Sequence, residues 1–545
     1  MPGKMFTPEL FRPEVDYPVI PYDHLLRTAA ERNPDRPAIV YHDLMLVYRE
    51  VVSMVNSVAN SLLELGIRKG DRICLCTGNR PESTITLNAA STIGAVITPM
   101  NPLYKEREMA YQLENSEARA ILIRPEMLPL LQRVLSQGSL PNLKHVIVLG
   151  EHVPESMPDA LSFGTLLKGG SPKRPSPVAI RGDDMIVLTY SSGTMGLPKG
   201  TMLSHHNLAT NHLQFLTASG INFSDTTLIF VPFYHIYGVL LTGSFLAAGA
   251  KQVIMDRFEL QPVLDMCEKH GPTWLFAVPA MVQALADAPG ELNQLKTVKY
   301  LMSAAAPLPL APANKLQDRT GIRMIQAYGM TEACPIVHLS PLDPELIQIG
   351  SAGLPMNNTE QKIVDIETGE HELPVGKDGE IIIRGPQVML GYWNAPEETA
   401  HTLRNGWLYT GDIGHVDADG YLYIVDRMKD MIKYKGFSIA PAELEALLVE
   451  HPAVQESAVV GVPDEEAGEV PKAFVVLRGD VSSSVTDEEL ISFVNGKLTG
   501  YKKLHEVEFV EALPKLPSGK ILRRELKELE RARRAGERVN FNSER

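Results

Sequence analysis

Hydrophobic positions in the first 150 residues follow two spacings that alternate along the chain. Residues 22–32 carry apolar side chains at helical spacing and end before Asn33, and a longer helical segment over 48–65 stops at Gly66. Further helical segments follow Pro81 and span 105–115 and 127–135, and β-favouring runs separate the helices at 38–41, 72–77, 95–99, 120–124 and 145–149. This alternation predicts a parallel sheet flanked by helices, so the fold class is α/β.

The pattern changes after a charged interruption at residues 426–430. Beyond it the chain has about the length of a small domain. Helical segments there follow Pro441 and cover 487–498, and strand-like runs cover 458–462, 473–477 and 507–510. This order predicts an α+β module. We therefore divide the chain into a large domain at 1–426, a hinge at 427–430 and a C-terminal domain at 431–545.

The composition is that of a globular protein in a reducing compartment. The chain has 545 residues and 44% hydrophobic content, enough to fill sizeable cores in about three or four domain-sized units. Its net charge of -14 argues against a nucleic-acid partner. The N-terminus does not resemble a signal peptide, and the longest weakly apolar run, 238–250, is too short to span a bilayer. We therefore predict a cytoplasmic protein without an integral membrane segment, whose four cysteines are buried thiols.

A segment rich in glycine and hydroxyl residues, 190–200, follows a β-favouring run. Its glycines let backbone N–H groups approach an anion, its hydroxyls donate hydrogen bonds, and Lys199 supplies a movable positive charge. The segment therefore predicts a loop that holds a triphosphate. It is not a Walker A loop, because Lys199 lies between Pro198 and Gly200. A surface turn with a solvated lysine is the alternative for this composition.

Three further stretches place chemical groups where predicted strands end. His235 follows the buried run 228–233, and small residues follow the strands in 300–308 and 325–332. Asp412 lies in a turn within the string Gly-Trp-Leu-Tyr-Thr-Gly-Asp. Taken singly, each has a structural explanation: a hydrogen-bonded core histidine, tight helix–sheet packing, or a turn cap.

Two lysine stretches stand out in the C-terminal domain. Lys433 and Lys435 alternate, so on a strand their side chains would share one face, and a solvated strand edge is the alternative. Lys520 ends a loop with two prolines and a glycine, which can project a side chain away from the domain.

Together these stretches, in this order and spread over about residues 20 to 530, resemble the AMP-forming adenylate superfamily, which includes acyl-CoA synthetases, 4-coumarate:CoA ligases and luciferases. The resemblance implies a large N-terminal domain of stacked α/β subdomains and a small, mobile α+β C-terminal domain. It also implies a ligase that joins a small-molecule carboxylic acid to coenzyme A through an acyl-AMP intermediate, with ATP and Mg²⁺. A homodimer stays open.

The resemblance assigns roles to individual residues. Lys520 bridges the acid and the α-phosphate, Lys429 lies at the hinge, and Arg257 contacts the CoA nucleotide unless it is only a surface arginine. The nucleotide would be held by Ser191, Ser192, Gly193, Thr194, Met195, Lys199, Gln326, Ala327, Tyr328, Thr331, Asp412 and Arg427. Thr194 and Glu332 would hold Mg²⁺. After a swing of the C-terminal domain, Lys433, Lys435 and Gly436 would face the CoA arm.

The identity of the acid is the open question. The implied tunnel is lined by His235, Tyr237, Leu241, Ala304, Ala327, Gly329 and Ile336. Leu241 and the alanines offer no partner to a ring hydroxyl, so our main hypothesis is a medium- or long-chain fatty acid or an apolar aryl acid. A hydroxycinnamate such as 4-coumarate is one alternative, and loading of a carrier protein is another. A luciferase-like oxygenase and a nucleotide-binding regulator without catalysis are less favoured.

Overall fold

The computed structural model of the chain describes residues 14–138, 140–191, 198–306, 308–435, 437–464, 467–479, 485–498, 502–515 and 521–534. Within them the strands form four sheets, three in the large domain and one in the C-terminal domain. No helix in these ranges has the length and apolar character needed to cross a membrane. The four cysteines are free and buried, as predicted.

The first sheet has six parallel strands with two antiparallel strands at one end. In spatial order its strands are Gly391–Tyr392, Lys199–Ser204, Met185–Ser191, Val96–Pro99, Arg72–Cys76, Ala120–Ile123, His145–Val148 and Leu161–Ser162. The helices along this part of the chain are Tyr48–Glu64, Pro81–Ile93, Glu106–Asn115, Leu128–Gln137 and Phe163–Gly169. The predicted alternation of strands and helices, and the α/β class, are confirmed.

The second sheet also has six parallel strands at its centre. Its order is Leu354–Pro355, Ile336–Leu339, Arg323–Gly329, Tyr300–Ser303, Trp274–Ala277, Thr226–Ile229, Lys251–Ile254, Pro37–Tyr41 and Leu44–Val47. Its helices are Asp23–Arg32, His205–Ser219, Ile236–Ala247, Leu260–His270, Pro279–Ala286 and Leu310–Thr320. The run 228–233 is wrong as one strand, because the strand ends at Ile229 and Pro232 has no N–H for a ladder.

Helices from the two sheets pack against each other and form the main core. Helix Pro81–Ile93 of the first sheet and helix Ile236–Ala247 of the second are buried on nearly all sides. One continuous hydrophobic cluster joins their side chains to both sheets. The two sheets are thereby fixed relative to each other, and their strand ends can contribute to one site.

A third, antiparallel sheet closes the large domain. Its strands are Glu360–Val364, Gly379–Arg384, Leu403–Arg404, Trp407–Val416 and Leu422–Arg427, and helix Pro396–Thr402 precedes the third of these. Trp407–Val416 pairs with Leu422–Arg427 so that Asp412 lies opposite Arg427. The sheet therefore presents a carboxylate beside a guanidinium at Arg427, the first residue of the predicted hinge.

The C-terminal domain is the predicted α+β module with its own cores. Its strands are Ile432–Tyr434, Phe437–Ile439, Val454–Asp464, Gly468–Leu477 and Glu506–Phe509, and its helices are Pro441–Val449, Asp487–Asn495 and Arg523–Arg534. One prediction is wrong here. The strand ends at Tyr434, and Lys435 has a left-handed backbone with φ of 46°, so Lys433 and Lys435 do not share a strand face.

Candidate active site

The site is built where two parallel strands of the second sheet end. Ser303 pairs with Gln326, which brings Ala304 beside the end of strand Arg323–Gly329. The chain then makes a short 3₁₀ turn at Thr331–Ala333 and returns as strand Ile336–Leu339. A Cβ on Gly329 would lie 1.7 Å from the Pro335 carbonyl oxygen, so only glycine permits this tight return.

Asp412 joins this turn to the third sheet. The Tyr328 hydroxyl donates a hydrogen bond of 2.7 Å to one Asp412 oxygen, and the Arg427 Nε lies 3.0 Å from the other. The Asp412 side chain is 6% exposed, whereas that of Arg427 is 37% exposed. The sequence predicted all three residues separately, and the structure brings them into one network with its guanidinium open to the surface.

Electrostatics keep both donors of this network protonated. The Asp412 carboxylate raises the pKa of the Arg427 guanidinium, and burial, reinforced by Asp412, raises the pKa of the Tyr328 phenol. Two groups that donate to one carboxylate hold it in a fixed orientation. A ligand hydroxyl that approaches from the Arg427 side therefore meets an oriented acceptor and a donor.

Gln326 supports the same wall from behind. Its side-chain amide donates to the Ser351 carbonyl at 3.1 Å and accepts from the Leu308 backbone N–H at 3.3 Å. These bonds tie the strand end to two neighbouring segments. Gln326 thus stabilises the wall on which Ala327 and Tyr328 lie.

Glu332 and Lys199 meet through a residue that we did not predict, Tyr392. The Tyr392 hydroxyl donates to Glu332 Oε1 at 2.8 Å, and Lys199 Nζ lies 5.4 Å from the centre of its ring. Glu398 Oε1 is 3.8 Å from the same ammonium. A tyrosine in a short Gly-Tyr strand carries no chemical signal in the sequence, and only the pairing of Tyr392 with Thr201 brings it here.

His235 lies at the start of a helix and not directly at a strand end, because the preceding strand of the second sheet ends at Ile229. It is the residue before helix Ile236–Ala247, and its ring lies 4.8 Å from that of Tyr234. The turn before it is held by Asn79, which accepts from the Phe233 backbone N–H at 2.8 Å and donates to the Val231 carbonyl at 3.1 Å. Asn79 follows strand Arg72–Cys76 of the first sheet and is 4% exposed. No sequence signal links the two segments.

Most of the predicted tunnel residues belong to the main hydrophobic core or pack against it. Tyr237, Leu241, Ala327 and Ile336 belong to the core cluster that joins the two sheets, and Ala304 packs against it. Asn211, another residue that we did not predict, accepts from the Ile336 N–H and donates to its carbonyl. The Tyr237 hydroxyl is buried and has no hydrogen-bond partner among the described residues. A buried hydroxyl without a partner costs free energy unless a ligand supplies one.

The predicted hinge is flanked by contacts to the C-terminal domain. Asp426 accepts from the Ala442 N–H at 2.9 Å, in the first turn of helix Pro441–Val449, and burial raises its pKa. Arg523 lies 3.7 Å from Asp430. Partial burial, together with the nearby charge of Arg427, lowers the pKa of Lys429 to about 8. The segment 427–430 is thus a charged connection between two separately packed units.

Some predicted residues lie apart from this network or cannot be placed. The Arg257 side chain is 80% exposed and pairs with Glu259 at 2.5 Å rather than with the Asp412 network. Lys433 is exposed in strand Ile432–Tyr434, and Lys435 follows that strand. The following predictions fall outside the described residues: Ser192, Gly193, Thr194, Met195, Gly436 and Lys520. Of Ser191 only the backbone is described, at the end of its strand.

The donor set fits a magnesium ion that arrives with phosphates. Within the described ranges no three His, Cys, Asp or Glu side chains group to hold a metal. The Glu332 carboxylate accepts the Tyr392 hydrogen bond through one oxygen, Oε1, and its other oxygen takes no part in that bond. Because Mg²⁺ keeps waters and takes ligands from substrate phosphates, one carboxylate is a sufficient protein contribution.

Comparison with known proteins shows the family of the chain. A family model described as AMP-binding enzyme matches residues 26–393, and one described as AMP-binding enzyme C-terminal domain matches residues 443–520. Among curated proteins, 4-coumarate--CoA ligase 1 of Petroselinum crispum is 40% identical over 497 residues, which are 88% of this chain and 88% of that protein.

Solved structures share the whole architecture. An anthranilate CoA ligase, AuaEII, in complex with anthranoyl-AMP has a TM-score of 0.87 at 29% identity, covering 95% of this chain and 99% of its own. A benzoate CoA ligase from Burkholderia xenovorans LB400 has a TM-score of 0.83 at 26% identity, covering 93% and 100%. The similarity extends through both domains of the chain.

Proposed function

Because this chain belongs to the AMP-binding family of adenylate-forming CoA ligases, an enzyme family that joins a carboxylic acid to coenzyme A with ATP, we propose that its acid is a hydroxycinnamate of the 4-coumarate type. The observation that carries the choice is the hydroxyl of Tyr237, a residue of the tunnel that the family resemblance implies, which is buried and has no hydrogen-bond partner among the described residues. A phenolic hydroxyl on the substrate would satisfy it.

This proposal replaces our main sequence hypothesis with its alternative. The alkyl or apolar aryl acid was favoured because Leu241 and the alanines offer no hydrogen bond. The Tyr237 hydroxyl is a polar group with which a hydroxyl of the substrate could form a hydrogen bond. The relative from Petroselinum crispum quoted above is named as a 4-coumarate ligase. The two solved relatives are named for anthranilate and benzoate, which are also aryl acids.

The proposed chemistry uses the site as a positioning device. The acid oxygen attacks the α-phosphorus of ATP and pyrophosphate leaves, and the CoA thiolate then displaces AMP from the acyl carbon. Asp412 would accept from the ribose hydroxyls beside Arg427, and Tyr328 would stack on the base. Thr331 and Lys199 would orient the phosphates. Preorganised charge of this kind stabilises the charge that develops in both transition states.

Magnesium, when bound, neutralises phosphate charge. Glu332 would hold it, with Thr194 as the second protein ligand. Tyr392 donates to Glu332 at 2.8 Å and would fix the orientation of that carboxylate.

We place the moving joint at 427–430. Residues 431–545 would first bring Lys520 to the acid and the α-phosphate, and would then turn Lys433, Lys435 and Gly436 toward the CoA arm. Separate cores on the two sides of the joint support this division, because each unit can keep its packing while the connection bends.

The acid is tested with a panel measured by pyrophosphate release, with and without CoA. We expect 4-coumarate to be preferred over cinnamate and octanoate, and the 4-coumarate/cinnamate ratio of kcat/KM to fall about tenfold in Tyr237→Phe, the value of one lost hydrogen bond. Tyr300→Phe, which removes a phenol that accepts from Arg323, is the control. Dependence of product formation on free CoA separates a CoA ligase from an enzyme that loads a carrier protein.

A second candidate acid is favoured by Leu241, another residue of the implied tunnel, which is fully buried and apolar. If octanoate or unsubstituted cinnamate is preferred and Tyr237→Phe leaves the ratio unchanged, the apolar acid is the substrate class. The ligase chemistry itself would be unaffected by that result.

A further inference from the structure

The phosphate loop starts and ends at neighbouring points of the first sheet. Strands Met185–Ser191 and Lys199–Ser204 are antiparallel, and Ser191 pairs with Lys199 while Tyr190 pairs with Gly200. The segment between them is the one that the sequence assigns to the ATP phosphates. The positions of the two residues that flank this segment therefore depend on how firmly these strand ends are held.

One helix face contacts both strand ends. Tyr111 and Asn115 lie four residues apart on helix Glu106–Asn115, so their side chains point the same way. The Tyr111 hydroxyl donates to the Pro198 carbonyl at 3.0 Å, just after the loop. Asn115 Oδ1 accepts from the Tyr190 hydroxyl at 2.7 Å, just before the loop.

Trp393 connects the same helix to the strand after the loop. Its indole N–H donates to the Asn115 carbonyl at 2.9 Å, and its backbone N–H donates to the Gly200 carbonyl at 2.7 Å. A Cβ on Gly200 would lie 3.3 Å from the Trp393 Cβ, so the two backbones approach closely. The next residue back, Tyr392, bonds to Glu332. A continuous series of contacts thus connects the strand ends that flank the loop with Glu332, the proposed magnesium ligand.

We propose that Tyr111, Asn115, Tyr190 and Trp393 are positioning residues that hold the ends of the phosphate loop in the geometry that ATP requires. The proposal rests on the function assigned above, because that function makes 192–197 the ATP-binding segment. Small misplacements of a binding group cost large factors in rate, so anchors outside the site can control the adenylation step. Transfer of the acyl group from AMP to CoA takes place after pyrophosphate has left and should not need them.

The test measures the two half-reactions separately in the full-length enzyme. Tyr111→Phe, Tyr190→Phe and the double variant remove single hydroxyls and keep the aromatic volume. The controls make the same two kinds of bond elsewhere: the Tyr421 hydroxyl donates to a backbone carbonyl at 2.7 Å, and the Tyr423 hydroxyl donates to the Gln348 side-chain amide at 2.6 Å. Each is changed to Phe and compared with its counterpart.

We expect the KM for ATP in acid-dependent ATP–pyrophosphate exchange to rise about tenfold in each anchor variant, the factor for one lost hydrogen bond. The rate of thioester formation from supplied acyl-AMP and CoA should stay within about twofold of the wild type. Melting temperatures should match those of the control variants.

Three results decide the matter. Unchanged KM for ATP in the double variant would overturn the inference. Equal losses in both half-reactions together with a lower melting temperature would also overturn it, because they indicate a purely structural role. If the wild-type enzyme shows no exchange with any acid of the panel, the proposed function fails first, and that outcome is recognised without any variant.

Discussion

Two carboxylate–arginine pairs, one that ends at the first residue of the predicted hinge and one in the C-terminal domain, are built differently. In the first pair, Arg427 Nε lies 3.0 Å from one oxygen of Asp412, and the other oxygen accepts a hydrogen bond from Tyr328. In the C-terminal domain, Glu445 meets Arg523 through two contacts, of 2.6 and 3.2 Å, and also accepts from the Val459 N–H at 2.7 Å. The first pair is open to solvent on its arginine side, whereas both side chains of the second are at most 21% exposed.

The difference separates a binding arrangement from a structural one. Both carboxylate oxygens of Glu445 accept hydrogen bonds from residues of the same domain, so a ligand would have to break existing hydrogen bonds to bind there. Arg427 presents part of its guanidinium outward, and a ribose hydroxyl can join that network without breaking the Tyr328 bond. A buried pair that is fully satisfied fixes a fold, and a partly exposed pair of the same chemistry is available for recognition.

The largest expected effect comes from breaking the structural pair. Arg523→Ala leaves Glu445 buried without its cation, and we expect a loss of about 3–5 kcal/mol in the free energy of unfolding of the C-terminal domain. Urea unfolding followed by limited proteolysis of that domain measures it. Arg384→Ala removes an equally bidentate but exposed pair with Glu360 and should cost less than about 1 kcal/mol. Equal losses in the two variants would remove the distinction drawn here.

Changing the open pair should affect function and leave stability nearly intact. Asp412→Asn keeps the shape of the side chain and removes its charge. We expect kcat/KM for ATP to fall about 100-fold, as for two weakened hydrogen bonds to a charged group. The melting temperature is measured in parallel with pyrophosphate exchange. A large drop in melting temperature without a change in ATP kinetics would show that Asp412 is structural as well.

Acid should destabilise the two domains unequally. Burial lowers the pKa of both His205 and His212 to about 4, so the folded large domain holds them neutral while the unfolded chain binds their protons. The stability that these two neutral histidines contribute to the large domain is complete above about pH 6.5 and is lost as the pH falls toward 4. Between pH 7 and 5, each histidine should lower the free energy of unfolding by about 2 kcal/mol. Burial raises the pKa of Glu445 and Asp426, so acidification favours the fold at these two groups.

Calorimetry between pH 7 and 5 checks this contrast. The transition of the large domain should move to lower temperature more steeply than that of the C-terminal domain, and His212→Gln should reduce the slope. An unchanged slope in that variant would mean that His212 titrates normally in the folded chain.

The smallest effect is expected at Arg257, which forms an exposed pair with Glu259. If the guanidinium contacts the CoA nucleotide, Arg257→Ala should raise the KM for CoA by about three- to fivefold, the scale of a weak surface contact. Stability and the KM for ATP should not change. A KM for CoA equal to that of the wild type would leave Arg257 as a surface residue only.

Short motifs predicted the individual residues of the site better than they predicted the residues that form hydrogen bonds with them. Tyr328 and Asp412 each stood out in a short string, yet the bond between them spans 84 positions and depends on how the third sheet packs on the second. Trp393 and Asn115 are 278 positions apart and neither carried a signal. Lys433 and Lys435 alternate as a strand would, but a left-handed backbone at Lys435 breaks the pattern, and such a turn is not visible in the spacing of two lysines.

The α/β class, the order of the elements, the C-terminal module and the family of ligases all followed from periodicity and short motifs, because both are properties of neighbouring residues. Which arginine is open to solvent and which is sealed was decided only in three dimensions, since the Arg427 side chain is 37% exposed and that of Arg523 is 21% exposed. Burial and the number of hydrogen-bond partners depend on segments that are distant in the chain, so identical residue types, such as Asp412 with Arg427 and Glu445 with Arg523, acquire different physical properties when the domains fold.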